Sequence, residues 1–233
     1  MDLPDSPDLN DVQQFAEPDV PEAAPSKSEG TFAKNIVLTG IAGSGKSTVG
    51  RHLAVILGFG FLDLDQFIER STGKSIARIF QDEGEQGFRS REAQALERIA
   101  QIKSHVVALG GGTLQSEHAL NLAKRLGPIV WLKPSADEVA KRLYLRPEEI
   151  EKRPLFKEFS SIADKDERRA AIREKVALMS DSRSEIYQAA DVVLDGGYVT
   201  PETSACQLKD ILSSMGLVAS ILNRFGAWHK NYG

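Results

Sequence analysis

The chain has 233 residues, 41% of them hydrophobic, a net charge of −4 and one cysteine, Cys206. That suffices for one packed domain with extensions, and a lone cysteine excludes an internal disulfide and points to a reducing cytoplasm. The charge is uneven: residues 1–30 hold eight acidic residues and one lysine, which leaves the remainder at +3. A body so weakly basic, with no basic stripe interleaved with aromatics, does not suit nucleic acid. No apolar run approaches a membrane span, and the acidic start carries neither a secretion-signal nor a transit-peptide pattern. Neither nucleic acid nor membrane is therefore an expected partner.

Residues 1–31, rich in acids and carrying Pro4, Pro7, Pro18, Pro21 and Pro25, read as a disordered tail. The folded domain is expected over 32–215. Ile36–Leu38 reads as a buried strand, Lys46–Leu57 as a helix stopped by Gly58, and Phe59–Leu64 as a second strand. Gln66–Ser71, Ile76–Phe80 and Phe88–Gln101 read as helices, and Val106–Leu109 as a third strand. A helix over His118–Leu126 stops at Gly127-Pro128, followed by a strand over Ile129–Leu132 and a helix over Asp137–Leu145. A charged segment over about 146–163 follows, with few apolar anchors. Asp164 and Glu167 are spaced to start a long helix ending at Tyr187. Val192–Leu194 is a fifth strand and Pro201–Met215 a closing helix. The extension 216–233 contains Phe225, Trp228 and Tyr232. Short apolar strands alternating with helices imply a three-layer α/β/α fold around a five-stranded parallel sheet, with ligands at the strands' carboxyl ends.

Residues 40–48 read Gly-Ile-Ala-Gly-Ser-Gly-Lys-Ser-Thr. They complete the pattern G-x-x-x-x-G-K-[ST], between a strand and a helix as that motif requires. Gly43, Ser44, Gly45 and Thr48 belong to a loop whose backbone N–H groups converge on phosphate oxygens. The motif predicts that Lys46 reaches the β- and γ-phosphates and that Ser47 ligates Mg²⁺. The loop implies a nucleoside triphosphate; it does not identify the phosphate acceptor.

The second strand ends in Asp63-Leu64-Asp65. On a strand, Asp63 and Asp65 share a side about 6.5–7 Å apart. One carboxylate can hold Mg²⁺ through water while the other orients or deprotonates a substrate hydroxyl; solvated turn carboxylates, or a helix cap by Asp65, are the alternatives. Arg89 and Glu92 meet on one helix face, either as a fork held ready for a carboxylate ligand or as a surface ion pair. Gly110-Gly111-Gly112 at the end of the third strand allows close backbone approach, as a pocket floor or a simple loop. Arg146 and Arg153 lie where a mobile lid would close over phosphates, or in a solvated loop. Arg183, one turn before Tyr187, can bind a substrate anion or serve as a helix-surface charge.

Together these pieces resemble shikimate kinase, within the nucleoside monophosphate kinase-like group of P-loop NTPase folds. The resemblance covers about Lys34 to Met215. Its specific signals are Phe61-Leu62-Asp63-Leu64-Asp65 with Phe67-Ile68-Glu69, Thr72-Gly73-Lys74-Ser75-Ile76, Phe80 with Glu83-Gly84-Glu85, Phe88-Arg89 with Glu92, and the triple glycine. The resemblance implies transfer of the γ-phosphoryl of ATP to the 3-hydroxyl of shikimate. It makes Asp63 the magnesium-associated carboxylate and Asp65 the residue that binds the reacting hydroxyl. It makes Arg89 and Arg183 the holders of the substrate carboxylate, with Glu92 positioning Arg89. Gly111 and Gly112 become backbone contacts to ring hydroxyls, and Arg153, in Arg-Pro-Leu-Phe, the lid arginine on the phosphates, with Arg146 a second. A monomer is implied. The interval from Arg153 to Arg183 is longer than the family usually has, so the role of Arg183 rests on alignment across an enlarged segment. A related kinase for another polyhydroxy acid, or a regulatory protein without turnover, are the alternatives.

Overall fold

Alternation of side chains along five short strands decides the layers. A computed structural model of the chain describes residues 34–145, 150, 154–195 and 200–218. The strands are β1 (Ile36–Thr39), β2 (Gly60–Asp63), β3 (His105–Ala108), β4 (Ile129–Lys133) and β5 (Val192–Asp195). They pair in parallel in the order β2-β3-β1-β4-β5. Ile36 and Leu38 of β1 point to one face with Val130 and Leu132, whereas Val37 points to the other with Val107. The first face is covered by α1 (Lys46–Leu57) and α7 (Pro201–Ser214). The second is covered by α2 (Leu64–Thr72), α3 (Ile76–Ile99) and α4 (Glu117–Leu126). Beside them Trp131 packs with α5 (Ala136–Leu145) and α6 (Lys165–Tyr187) in a third apolar cluster. Strands buried on both faces explain why β1 and β4 read as continuous apolar runs.

The expected α/β/α architecture and parallel sheet are present, with differences at particular places. β2 ends at Asp63 and Leu64 already begins α2, because Asp63 caps that helix by accepting from the Asp65 and Gln66 N–H groups. The two helices expected over 76–80 and 88–101 are one element bent at Gly84, whose φ of 69° and ψ of −174° break the helix. Asp164 caps α6 by accepting from Glu167 N–H at 2.8 Å. The segment expected to have few apolar anchors buries Ile150 and Phe156 among α5 and α6. Its residues Pro154–Ser161 form a 3₁₀ helix. The body also runs past Met215: Leu217 N–H donates to Leu212 O at 2.9 Å, and Val218 joins the α1–α7 core. The acidic tail, Arg146, Arg153, Phe225, Trp228 and Tyr232 lie outside the described residues.

β1 sits at the centre of the sheet. The chain leaves it for the edge strand β2, returns to β3, and then crosses β1 to reach β4. This reversal of direction is where open parallel sheets bind ligands, beyond the strands' carboxyl ends. The loops after β1, β2 and β3 all reach that end.

Candidate active site

The loop after β1 is held in shape by backbone geometry. Gly43 and Gly45 have φ of 84° and 92°, a left-handed region costly for residues with a Cβ. At Gly40 a Cβ would stand 2.5 Å from Leu132 O, so the loop lies directly against β4. Lys46 starts α1 and turns back over the loop, donating to Gly40 O at 2.8 Å and Ile41 O at 3.0 Å. No side chain caps the α1 N-terminus, and its first turn holds no acidic residue. The first N–H donors of that helix therefore face the loop with a field that favours anions. Thr48 is exposed on the first turn. Arg142 of α5, which the sequence reading missed, brings its Nη1 to 3.6 Å from where a Gly45 Cβ would be. Its signal was position: one turn after Val139, whose side chain touches the loop at Gly43.

Ser47 and Asp63 meet. Ser47 Oγ donates to Asp63 Oδ2 at 2.7 Å, while Asp63 Oδ1 accepts from the Asp65 and Gln66 N–H groups. A hydroxyl and a carboxylate side by side are hard oxygen donors of the kind Mg²⁺ takes, together with phosphate oxygens and water. Among the described residues no three His, Cys, Asp or Glu side chains gather into a cation site. A divalent ion here would need the nucleotide's own oxygens, which fits this donor set.

Asp65 stands in the first turn of α2 rather than on the strand, so helix geometry, not alternation along a strand, sets its relation to Asp63. Its Oδ1 is buried and has no hydrogen-bond partner among the described residues. Burial, reinforced by the negative charges of Asp63 and Glu92, raises its pKa to about 6, against the pull of Lys46. A carboxylate oxygen kept bare in a desolvated place is an acceptor waiting for a donor.

Arg89 and Glu92 are more than a surface pair. Glu92 is 1% exposed, and its Oε2 accepts from Arg89 Nη1 at 2.6 Å. Arg89 Nη2 donates to the exposed Glu85 at 3.1 Å. Burial opposes the Arg89 charge most strongly; hydrogen bonds and charges of Glu92 and Glu85 outweigh it and raise the pKa. The other oxygen of Glu92 accepts from the Thr113 hydroxyl at 2.5 Å. Thr113 was not singled out from sequence, although it directly follows the triple glycine.

The glycine segment is the floor that joins these groups. A Cβ at Gly110 would stand 3.1 Å from Asp65 Oδ1 and 3.2 Å from Glu92 Oε1, and one at Gly112 would stand 2.7 Å from Arg89 Nη2. A Cβ at either position would press on these side chains, so glycine lets the three come this near without displacement. A Cβ at Gly111 would lie 3.3 Å from Ala42 N, so the floor also abuts the phosphate loop. Arg183 Nη1 and the Tyr187 hydroxyl both donate to Gly111 O, at 3.0 and 2.7 Å. Tyr187 in turn packs on Trp131 with ring centroids 5.3 Å apart. Arg183 thus reaches the site despite the enlarged segment before it. Lys46, Ser47, Asp63, Asp65, Arg89, Gly111, Gly112 and Arg183 all converge at one end of the sheet.

Comparison with known proteins agrees with this geometry. A family model described as shikimate kinase matches residues 42–212. A shikimate kinase of Chlorobaculum parvum is 40% identical over 161 residues, covering 68% of this chain and 81% of that protein. One from Chlorobaculum tepidum is 42% identical over 159 residues, covering 68% and 80%. Among solved structures, shikimate kinase from Acinetobacter baumannii in complex with shikimate superimposes with a TM-score of 0.64 at 34% identity, covering 78% of this chain and 94% of that one. Shikimate kinase from Bacteroides thetaiotaomicron gives 0.66 at 27% identity, covering 77% and 98%. The phosphate loop, the glycine floor and the pairing of Arg89 with buried Glu92 therefore stand in a chain that belongs to the shikimate kinase family.

Proposed function

We propose that this chain transfers the γ-phosphoryl group of ATP to the 3-hydroxyl of shikimate in the cleft between the phosphate loop and the glycine floor, with the following division of labour. The loop N–H groups of residues 43–48 and the α1 N-terminus cradle the phosphates. Lys46 leaves its carbonyl partners for the β- and γ-phosphates. Ser47 and Asp63 hold Mg²⁺, which when bound neutralises phosphate charge. Arg89 and Arg183 hold the shikimate carboxylate. Gly111 O already accepts from Arg183 and Tyr187, so the N–H groups of Gly111 and Gly112 are the donors offered to ring hydroxyls. Asp65 accepts the hydrogen bond of the reacting hydroxyl and takes its proton as the phosphoryl group transfers. Phosphoryl transfer is mostly positioning and electrostatics, so a carboxylate of pKa about 6 suffices as acceptor. Arg142 adds a cation over the loop; Arg146 and Arg153 are assigned to the phosphates on the motif alone.

The observation that carries this reading is the bare, buried Oδ1 of Asp65, set between Lys46 on the nucleotide side and the Arg89–Glu92 pair on the acceptor side. The chain is proposed to act as a monomer in the cytoplasm. Cys206 is a free, exposed thiol suited to a reducing compartment. The test is ADP release with ATP and Mg²⁺ in the presence of shikimate, quinate, gluconate or no acceptor. Release with shikimate alone supports the assignment. Release with another acceptor moves the chain to a kinase of different specificity, and no release overturns turnover.

A further inference from the structure

We infer that Thr113 is a positioning residue for substrate binding: its hydroxyl holds Glu92 so that Glu92 can hold Arg89 toward the acceptor carboxylate. The inference rests on the assignment of Arg89 above. Glu92 is a carboxylate buried to 1% exposure, with one oxygen on Arg89 at 2.6 Å and the other on Thr113 at 2.5 Å. Thr113 is itself fully buried. A buried carboxylate oxygen without a donor carries a desolvation cost, and the donors it keeps set its orientation. Among the described residues, Thr113 is the donor on the side away from the arginine.

The contacts close a ring. Thr113 N–H donates to Gly110 O at 3.2 Å, fixing the turn that ends the glycine floor. From that turn the hydroxyl reaches Glu92, Glu92 reaches Arg89, and Arg89 returns to lie against Gly112. The floor that offers N–H groups to the substrate and the arginine that offers a guanidinium are thereby set in one register. The other partner of Arg89 cannot do this. Glu85 is 68% exposed, and an exposed pair of that kind fixes little.

The test uses T113V, which keeps the shape and removes the hydroxyl, with T113S as the conservative variant and T113A as a second deletion. T113V and T113A are expected to raise the KM for shikimate about tenfold, with KM for ATP and kcat within about twofold, and T113S to restore the wild-type value. The shift should disappear with shikimate methyl ester, which lacks the carboxylate charge. It should also disappear in an E92Q background, as a coupled pair requires. No rise in shikimate KM, an equal rise for the methyl ester, or a full rise in the E92Q background overturns the inference. Wild-type enzyme that does not phosphorylate shikimate overturns the assignment beneath it instead, so the two failures are distinguishable.

Discussion

The nucleotide side and the acceptor side of the cleft are built in opposite ways. The phosphate side is one contiguous stretch, residues 40–48, shaped by glycine dihedrals and a helix N-terminus. The groups proposed to bind phosphate are mostly backbone, and the one charged side chain of the stretch, Lys46, is held by its own loop. The acceptor side has no such contiguity. Asp65 comes from α2, Arg89 and Glu92 from α3, Gly110–Gly112 from the segment after β3, and Arg183 from α6. There charged side chains meet a glycine backbone: Arg89 is held by buried Glu92, Arg183 by Gly111 O, and Asp65 keeps a bare oxygen. The lesson is that phosphate recognition can be local because N–H groups are generic, whereas recognition of one small acid needs side chains from distant elements.

Variants can break or sharpen this contrast. The largest expected effect is at the junction. Asp65→Asn should lower kcat by about 10³, in the range of lost acid–base groups, while ATP binding measured by calorimetry survives. Unchanged turnover would remove Asp65 from the reaction. On the nucleotide side, Lys46→Met should lower kcat by about 10²–10³, as loss of one charge-stabilising donor does, with shikimate KM little changed. On the acceptor side, Arg183→Met should raise shikimate KM about 10–100-fold, the cost of a lost charged hydrogen bond, and leave ATP affinity alone. If ATP affinity fell equally, the two sides would not be separable.

The titration of Asp65 gives two further checks. In the free enzyme kcat/KM should fall on the acid side with a midpoint near pH 6, where Asp65 gains its proton. The same shift acts on stability. The folded state binds this proton up to about pH 6 and the unfolded chain only to about pH 3.8. Asp65 therefore costs nothing below about pH 4, and its ionised form destabilises the fold progressively between the two values. Asp65→Asn should stabilise the protein by about 2–3 kcal/mol at pH 8. Denaturant titrations at pH 8 and pH 4 should show that gain only at pH 8; an equal gain at both would place its origin elsewhere. The smallest effect should come from Tyr187→Phe, about a threefold rise in shikimate KM, because Arg183 still donates to Gly111 O.

Legibility from sequence followed the same divide. The phosphate loop and the alternation of strands and helices could be read directly, because each depends on residues close in the chain, and the parallel sheet followed from short apolar strands alternating with helices. The Asp63–Asp65 pair was found with the wrong local geometry: a side-chain cap at Asp63 competes with the strand and ends it there. Arg89 and Glu92 were visible as a spacing, but whether they were a surface pair or a buried one turned on packing against Thr113 and the glycine floor. Arg142 was passed over because nothing in a helix pattern says which face meets a loop from another strand.

The sequence alone determined the layers, the phosphate loop and the identities of the charged groups, since dihedral preference, periodicity and residue chemistry are local. Only the tertiary structure decided which carboxylate lost its solvent and which gained partners. Asp65 is left with a bare oxygen and a raised pKa, while each oxygen of Glu92 has a donor, from Arg89 or Thr113. Desolvation and hydrogen-bond saturation belong to the surroundings of a group, and those surroundings here are assembled from α2, α3, α6 and the glycine floor.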